Sequence, residues 1–234
     1  MKVEIWSDIV CPWCYIGKRR FESALARFEH RDEVEVVWHS FELNPSAPRE
    51  EHGGLDERLA RKYGMTLGQA RAVNDRVTAA AAGEGLRYDL ERARPGNTFD
   101  AHRLIHLARE QGLDDQAEER LMAAYFGEGR RIGDGETLVE LLADVGVDRE
   151  QAREALAGGA FGDDVRAEER EAAELGISGV PFFVFDRRYG VSGAQPPELF
   201  LQALRQAWQD AHPITMVGAD TGAAQSCEDG ACAI

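Results

Sequence analysis

The chain opens on alternation. In residues 2–7 (KVEIWS), Val3 and Ile5 fall on one face and Glu4 on the other, the two-residue period of a strand. After Cys11-Pro12 the period lengthens. Gly17, Phe21, Ala24 and Phe28 recur at spacings of three or four and share one helical face, while Lys18, Arg19, Glu22 and Glu29 lie elsewhere on the wheel. Proline suits the first helical position, where its missing N–H would lack a partner anyway. After His30-Arg31-Asp32, residues 33–41 (EVEVVWHSF) read as a second strand, so the opening is β–α–β.

Between Gly53 and Gly176 the period is helical and no strand pattern convinces. Thr66 and Gln69 have capping-box spacing ahead of a long Ala-rich helix ending near Gly83 or Gly85. Asn97 or Thr98 caps a helix through Phe99, Leu104, Ile105 and Ala108, stopped at Gly112. Further helices are expected over 115–126, 136–145, 148–156 and 163–175, with Gly127, Gly146, Gly158 and Gly176 as their C-terminal stops. Strand signals return at 182–185 and 189–192, with Arg187-Arg188 at the turn, and Pro196-Pro197 opens a last helix through Leu199, Leu204 and Trp208. Past His212-Pro213 the chain turns to Gly, Ala, Thr, Asp and Ser, the composition of a flexible tail. The order βαβ, helical block, ββα predicts an α/β chain: one discontinuous domain at 1–44 and 177–212, an all-helical insertion at 45–176, and a C-terminal tail at 213–234.

Composition works by exclusion. The 42 acidic residues outnumber the 27 basic ones, for a formal charge of −15, which argues against nucleic acid and anionic lipid as partners. The first ten residues carry two acids and one lysine without an apolar core, and no stretch approaches the ~20 apolar residues of a spanning helix. The expected location is therefore the cytoplasm, where cysteines serve redox or metal chemistry more often than they staple a fold. The chain has 4 cysteines, and they form two close pairs at opposite ends: Cys11 with Cys14, and Cys227 with Cys232.

A Cys-x-x-Cys pair alone serves zinc ribbons, iron–sulfur sites and redox enzymes; its context decides. Cys11 falls at the expected N-cap of a helix that follows a strand. Its sulfur would then face the free N–H groups of Trp13 and Cys14 and the positive end of the helix dipole, which favour thiolate and make Cys11 the nucleophile. Cys14 sits in the first turn, pointing inward, where a resolving thiol belongs. A closed zinc site built from all four cysteines is the competing reading, although a zinc pair usually sits on a turn. Cys227 and Cys232 can bridge only if the intervening Glu-Asp-Gly-Ala turns through Gly230.

Residues 7–17 (SDIVCPWCYIG) together with Gly179-Val180-Pro181-Phe182-Phe183-Val184 resemble the DsbA family of the thioredoxin superfamily, most closely its FrnE-type cytoplasmic oxidoreductases, over nearly the whole chain. The resemblance implies a thioredoxin-like fold interrupted by a helical domain, and a Pro181 that is cis and faces the two cysteines; the plain alternative for Pro181 is a strand-entry proline. The turn would present the Val180 backbone to an extended substrate, with Pro12 and Trp13 beside it. Some FrnE-type proteins end in a similar Cys-x4-Cys pair, which implies that Cys227 and Cys232 are an accessory redox couple, reaching Cys11 of the same chain or of a neighbouring subunit; a passive thiol pair is the alternative.

Weaker candidates each carry a plain reading as well. Asp8 relays a proton or stabilises a turn. Trp13 offers an apolar surface to substrate or packs against the insertion. The segment Asn97-Thr98-Phe99-Asp100-Ala101-His102-Arg103 resembles one found in this family and its isomerase relatives, yet capping explains Asn97 and Thr98, and His102 either favours thiolate or is merely packed. Tyr63, Met65 and the Ala-rich helix form a homodimer face or pack inside the insertion. The expected function is cofactor-free thiol–disulfide oxidoreductase or isomerase chemistry on protein disulfides, with glutathione or a thioredoxin-type protein as candidate reductant. Two rivals remain: a glutathione-dependent isomerase or transferase of the 2-hydroxychromene-2-carboxylate isomerase or kappa-class type, and a zinc-binding or chaperone module.

Overall fold

The computed structural model describes residues 1–49 and 53–213; Cys227, Cys232 and nearly all of the expected tail lie outside the described residues. Strand β1 (Lys2–Ser7) is central in a four-stranded sheet with β2 (Glu35–Ser40), β3 (Phe182–Phe185) and β4 (Tyr189–Ser192), in the order β2-β1-β3-β4. β1 runs parallel to β2, with Ile5 opposite Trp38, and antiparallel to β3, with Ile5 opposite Phe183; β3 and β4 are antiparallel. A parallel pair needs a crossover, and helix α1 (Pro12–Ala26) supplies it. The β3–β4 turn is tight, with Asp186 and Arg187 at φ 51° and 56°. It is held by an Asp186 N–H to Lys2 C=O bond of 2.8 Å and by the Arg187–Glu4 ion pair.

Alternation along β1 assigns the two faces of the sheet. Val3 and Ile5 join Phe183, Phe185, the α1 residues Phe21 and Ala24, and Phe28 just beyond α1 in a core closed by α9 (Pro197–Ala211) through Phe200 and Leu204. Glu4 and Trp6 take the opposite face, where Trp6 packs with Ala172, Ile177 and Val184 and its indole N–H donates to the Glu168 carbonyl at 3.2 Å. Glu168 and Ala172 belong to α8 (Gly162–Glu174). The fold is thus thioredoxin-like, with helices against both faces of a mixed sheet and a helical segment inserted between β2 and β3.

That segment comprises α2 (Leu55–Tyr63), α3 (Leu67–Gly83), α4 (Phe99–Arg109), α5 (Asp114–Ala123), α6 (Gly135–Ala143), α7 (Arg149–Gly158) and α8. The capping box before α3 forms as expected, with Gln69 N–H bonded to Thr66 Oγ1 at 3.2 Å and Thr66 N–H to Gln69 Oε1 at 2.8 Å. Three details differ from the sequence pattern. α2 carries so few apolar residues that its period gave it no separate signal. Glu33, expected to start the second strand, ends a 3₁₀ turn over residues 31–33, and β2 begins at Glu35. The left-handed stops fall at Gly129 and Gly159, at φ 67° and 72°, rather than at Gly127 and Gly158. Beyond α5 the helix continues through Gly127 as a π turn, Ala124–Glu128. A Cβ at Gly129 would lie 2.6 Å from the Arg92 carbonyl, so only glycine fits there. The insertion core runs from Leu104, Leu121, Met122 and Phe126 to Leu138 and Leu142, and the same cluster takes in Ile9, Cys11, Cys14 and Ile16. The cysteines therefore lie on the seam between insertion and sheet domain. Among the described residues no helix is long and apolar enough to cross a membrane.

Candidate active site

The turn between β1 and α1 is closed by a 3.0 Å bond from Cys11 N–H to the Asp8 carbonyl. Cys11 is the extended N-cap of α1 and Pro12 its first helical residue. The Cys14 N–H goes to the Cys11 carbonyl at 3.0 Å, and the Cys11 side chain caps no N–H of the first turn. Its sulfur, expected to face those N–H groups, instead meets the Val180 carbonyl at 3.5 Å. The next peptide bond, Val180–Pro181, is cis. Gly17 makes this proximity possible, because a Cβ there would lie 3.0 Å from Pro181 Cγ and 3.4 Å from Phe183 Cζ. Both cysteines are free and buried, while Pro12 and Val180 are half-buried and Trp13 is 41% exposed. An apolar rim thus surrounds a sunken pair of thiols.

The two sulfurs are not equivalent. Burial pushes the Cys14 thiol well above the ordinary thiol range, and the neighbouring Cys11 adds to the rise; the Asp8 amide and the Ser7 hydroxyl act against it. Cys14 is the inner, protonated partner.

Behind the pair lies a cluster of titratable groups. Asp8 is 1% exposed. It accepts the Leu43 N–H on Oδ2 at 2.8 Å, and its Oδ1 stands 3.5 Å from His102 Nε2. The Asp8 carboxylate therefore braces the segment after β2 and meets the insertion, rather than closing its own turn. His102 is fully buried on α4; burial alone would lower its pKa, but Asp8, Glu118 and Glu42 raise it. Glu118 of α5 is also buried, and desolvation pushes its carboxyl up to about 7 against the opposing charges of His102 and Lys18.

Other candidates fall into place around this centre. Asn97 precedes the N-cap of α4, accepting the Phe99 N–H at 2.9 Å, and its amide donates to Glu42 Oε1 at 3.0 Å; its role here is bracing. Thr98 occupies the N-cap without a side-chain bond. Arg103 turns away from the thiols to the carbonyls that end α7, with Nε 2.7 Å from the Ala160 oxygen. Tyr63 is 60% exposed. Lys18, expected among the polar positions of the α1 wheel, is only 2% exposed, under Trp38 and among Glu22, Asp115 and Glu119. The helical period places Lys18 beside the apolar face, and docking of the insertion covers it.

Two residues of this region escaped the sequence reading. Tyr88, in the irregular stretch between α3 and α4, donates its hydroxyl to the Pro12 carbonyl at 2.7 Å and stacks on Phe126 of the π turn at 4.5 Å. Nothing in a Gly- and Arg-rich loop marks it. Glu118 carried a signal that was available: an acid three and four residues before the buried Leu121 and Met122 lies on the inward face of α5.

A dithiol at the start of the first helix, facing a cis-proline loop across a β2-β1-β3-β4 sheet, defines a thioredoxin-fold thiol oxidoreductase architecture. The model of the DSBA-like thioredoxin domain matches residues 2–205, and the chain belongs to that family. It is similar to a probable DsbA oxidoreductase, SCO1869 from Streptomyces coelicolor, at 52% identity and TM-score 0.87, with 94% of each chain covered. More distant structures share the fold. The cytosolic disulfide reductase DsbM from Pseudomonas aeruginosa, solved with GSH, is 19% identical at TM-score 0.61, covering 89% of this chain and 100% of that one. A 2-hydroxychromene-2-carboxylate isomerase is 14% identical at TM-score 0.65, covering 90% and 98%.

Proposed function

We propose that the protein is a dithiol–disulfide oxidoreductase or isomerase of the FrnE type, working on protein disulfides in the cytoplasm. The observation that carries this reading is the inequivalence of the thiols: an outer Cys11 beside the Val180 carbonyl and an inner Cys14 held protonated by burial. Cys11, as thiolate, attacks one sulfur of the substrate and forms a mixed disulfide while the other substrate sulfur leaves with the electron pair. Cys14 then loses its proton and attacks Cys11 Sγ, releasing the second substrate thiol. The substrate disulfide is reduced and Cys11–Cys14 oxidised; glutathione or a thioredoxin-type protein returns the pair to the dithiol. Pro12, Trp13 and Val180 form the surface over which an extended peptide is held, with Pro181 setting the edge of that surface. The Cys227–Cys232 pair is assigned an accessory role, passing electrons to Cys11 by the same exchange.

The reading is tested by reduction of insulin disulfides with dithiothreitol as donor. Turnover is expected in the wild type, its loss in Cys11→Ser, and a partial loss in Cys227→Ser/Cys232→Ser. A wild type without turnover on insulin, converting a small electrophile with glutathione instead, would move the protein to the isomerase–transferase class.

A further inference from the structure

The Cys11–Cys14 turn is held from the insertion by the Tyr88 hydroxyl, which donates to the Pro12 carbonyl at 2.7 Å. The α1 ladder uses one lone pair of that carbonyl, and Tyr88 takes the other. The Tyr88 ring stacks on Phe126 with centroids 4.5 Å apart and lies near-parallel to Tyr15 at 6.2 Å. Its backbone is pinned as well, because the Asp89 N–H donates to the Phe126 carbonyl at 2.6 Å. The π turn Ala124–Glu128 is shaped to receive this stretch. A Cβ at Gly127 would lie 3.2 Å from the Arg87 carbonyl, and one at Gly129 2.6 Å from the Arg92 carbonyl. A π turn within a helix has a cause, and here it is the bed on which Tyr88 is laid.

The carbonyl that Tyr88 bonds belongs to the peptide whose N–H is that of Trp13. Trp13 is the second residue of α1, and an N-cap side chain accepts from the N–H of the second or third residue. The third, that of Cys14, turns to the Cys11 carbonyl at 3.0 Å, which leaves the Trp13 N–H to serve the cap. As a thiol, Cys11 points its S–H at the Val180 carbonyl, 3.5 Å away. A thiolate has no proton to offer there and needs a donor instead. A hydrogen bond on a carbonyl oxygen polarises the whole peptide and makes its N–H a stronger donor.

We infer that Tyr88 is a positioning residue for Cys11: by bonding the Pro12 carbonyl it aims and polarises the Pro12–Trp13 peptide, whose N–H steadies the attacking Cys11 thiolate. The inference rests on the dithiol reading. Tyr88 touches no bond that forms or breaks and acts through that peptide. Burial, and then the charges of Cys11, Tyr15 and Cys14, keep its own hydroxyl protonated and so a donor, against the opposing charge of Arg19. Cys14 and Tyr88 both face Cys11.

Alkylation of the reduced protein with iodoacetamide across pH reads Cys11, because Cys14 is buried and held protonated. Tyr88→Phe keeps the ring on Phe126 and removes only the hydroxyl. On the rising limb of its profile the rate should fall about threefold, while the plateau at high pH keeps its wild-type value. The redox equilibrium with glutathione should move too. There the protein dithiol and oxidised glutathione give the protein disulfide and two glutathione thiols. Two electrons pass to glutathione, and the protons of the new thiols come from Cys14 and from solvent. The variant loses support for the thiolate in its reduced form alone, so its disulfide form should gain about threefold at neutral pH. Phe126→Leu removes the stacking partner, should shift both readouts in the same direction, and carries the test if Tyr88→Phe does not fold. A variant profile that superimposes on the wild type overturns the inference, as does uniform slowing at every pH, the mark of packing alone. A wild-type pair that oxidised glutathione leaves as dithiol would instead remove the dithiol reading, with the alkylation profile still deciding the part played by Tyr88.

Discussion

Glu118 stores a pH dependence of stability. Its folded pKa is raised from the ordinary 4.5 to about 7, so between those values the folded protein holds a proton that the unfolded chain has released. Stability from this group is therefore full below about pH 4.5 and is lost as pH rises toward 7. His102 adds to the slope with the same sign, because its folded pKa is also raised. Glu118→Gln removes the first contribution. Urea unfolding at pH 5 and pH 8 should show the variant gaining up to about 3 kcal/mol on the wild type between the two. An unchanged difference would mean that the carboxyl is not desolvated. At the same scale, the Cys14 thiol shows why a residue's chemistry is not a property of its type: burial first, and then the neighbouring Cys11, raise its pKa well above that of an ordinary thiol.

Elements place these residues, and glycines decide how closely elements approach. Gly17 sits on α1 where Pro181, Phe183 and Ala194 come within 3.0 to 3.5 Å of a would-be Cβ. Gly17→Ala should destabilise the protein by about 1–3 kcal/mol through overpacking, read as a lower denaturant midpoint, and slow Cys11 by displacing the Val180 carbonyl from its sulfur. A midpoint at or above the wild type would show that the loop yields freely. The elements themselves were largely legible. β1, β3 and β4 run over the residues expected of them, and the Thr66 box starts α3, because both signals are local. The helix stops were read less well. Gly127 looks like a cap in the sequence, but the choice of Gly129 depends on where the π turn and the Arg92 carbonyl lie; Gly158 is still helical and the left-handed cap of α7 falls one residue on, at Gly159. α2 was not separately legible because most of its nine residues are polar.

At the scale of the whole molecule, Glu168 ties the insertion to the sheet. Burial acts to raise its pKa, but bonds and charge from His106 and His39 pull it far below the usual carboxylate range. It lies 2.9 Å from His39 Nδ1, 3.1 Å from His106 Nε2 and 2.9 Å from Arg109 Nη1, and it accepts the Ser40 N–H at 2.6 Å. A lowered carboxylate stabilises above its unfolded pKa of about 4.5 and loses that contribution as pH falls below it, opposite in sign to Glu118. Glu168→Gln should cost about 3–5 kcal/mol at neutral pH by leaving the Arg109 guanidinium without its anion and should flatten the acid limb of the stability curve. Equal acid sensitivity in variant and wild type would sink this assignment. The amino-acid sequence by itself determined the βαβ–helices–ββα order, the N-cap position of Cys11, the dithiol spacing and the family resemblance, since each follows from local period, capping chemistry or short motifs. Tertiary structure alone decided that Lys18 is buried, that Asp8, His102 and Glu118 share one interior, and that Tyr88 reaches Pro12. Those residues lie far apart along the chain, and what joins them is the docking of the insertion on the sheet, where burial changes both their neighbours and the cost of their charges.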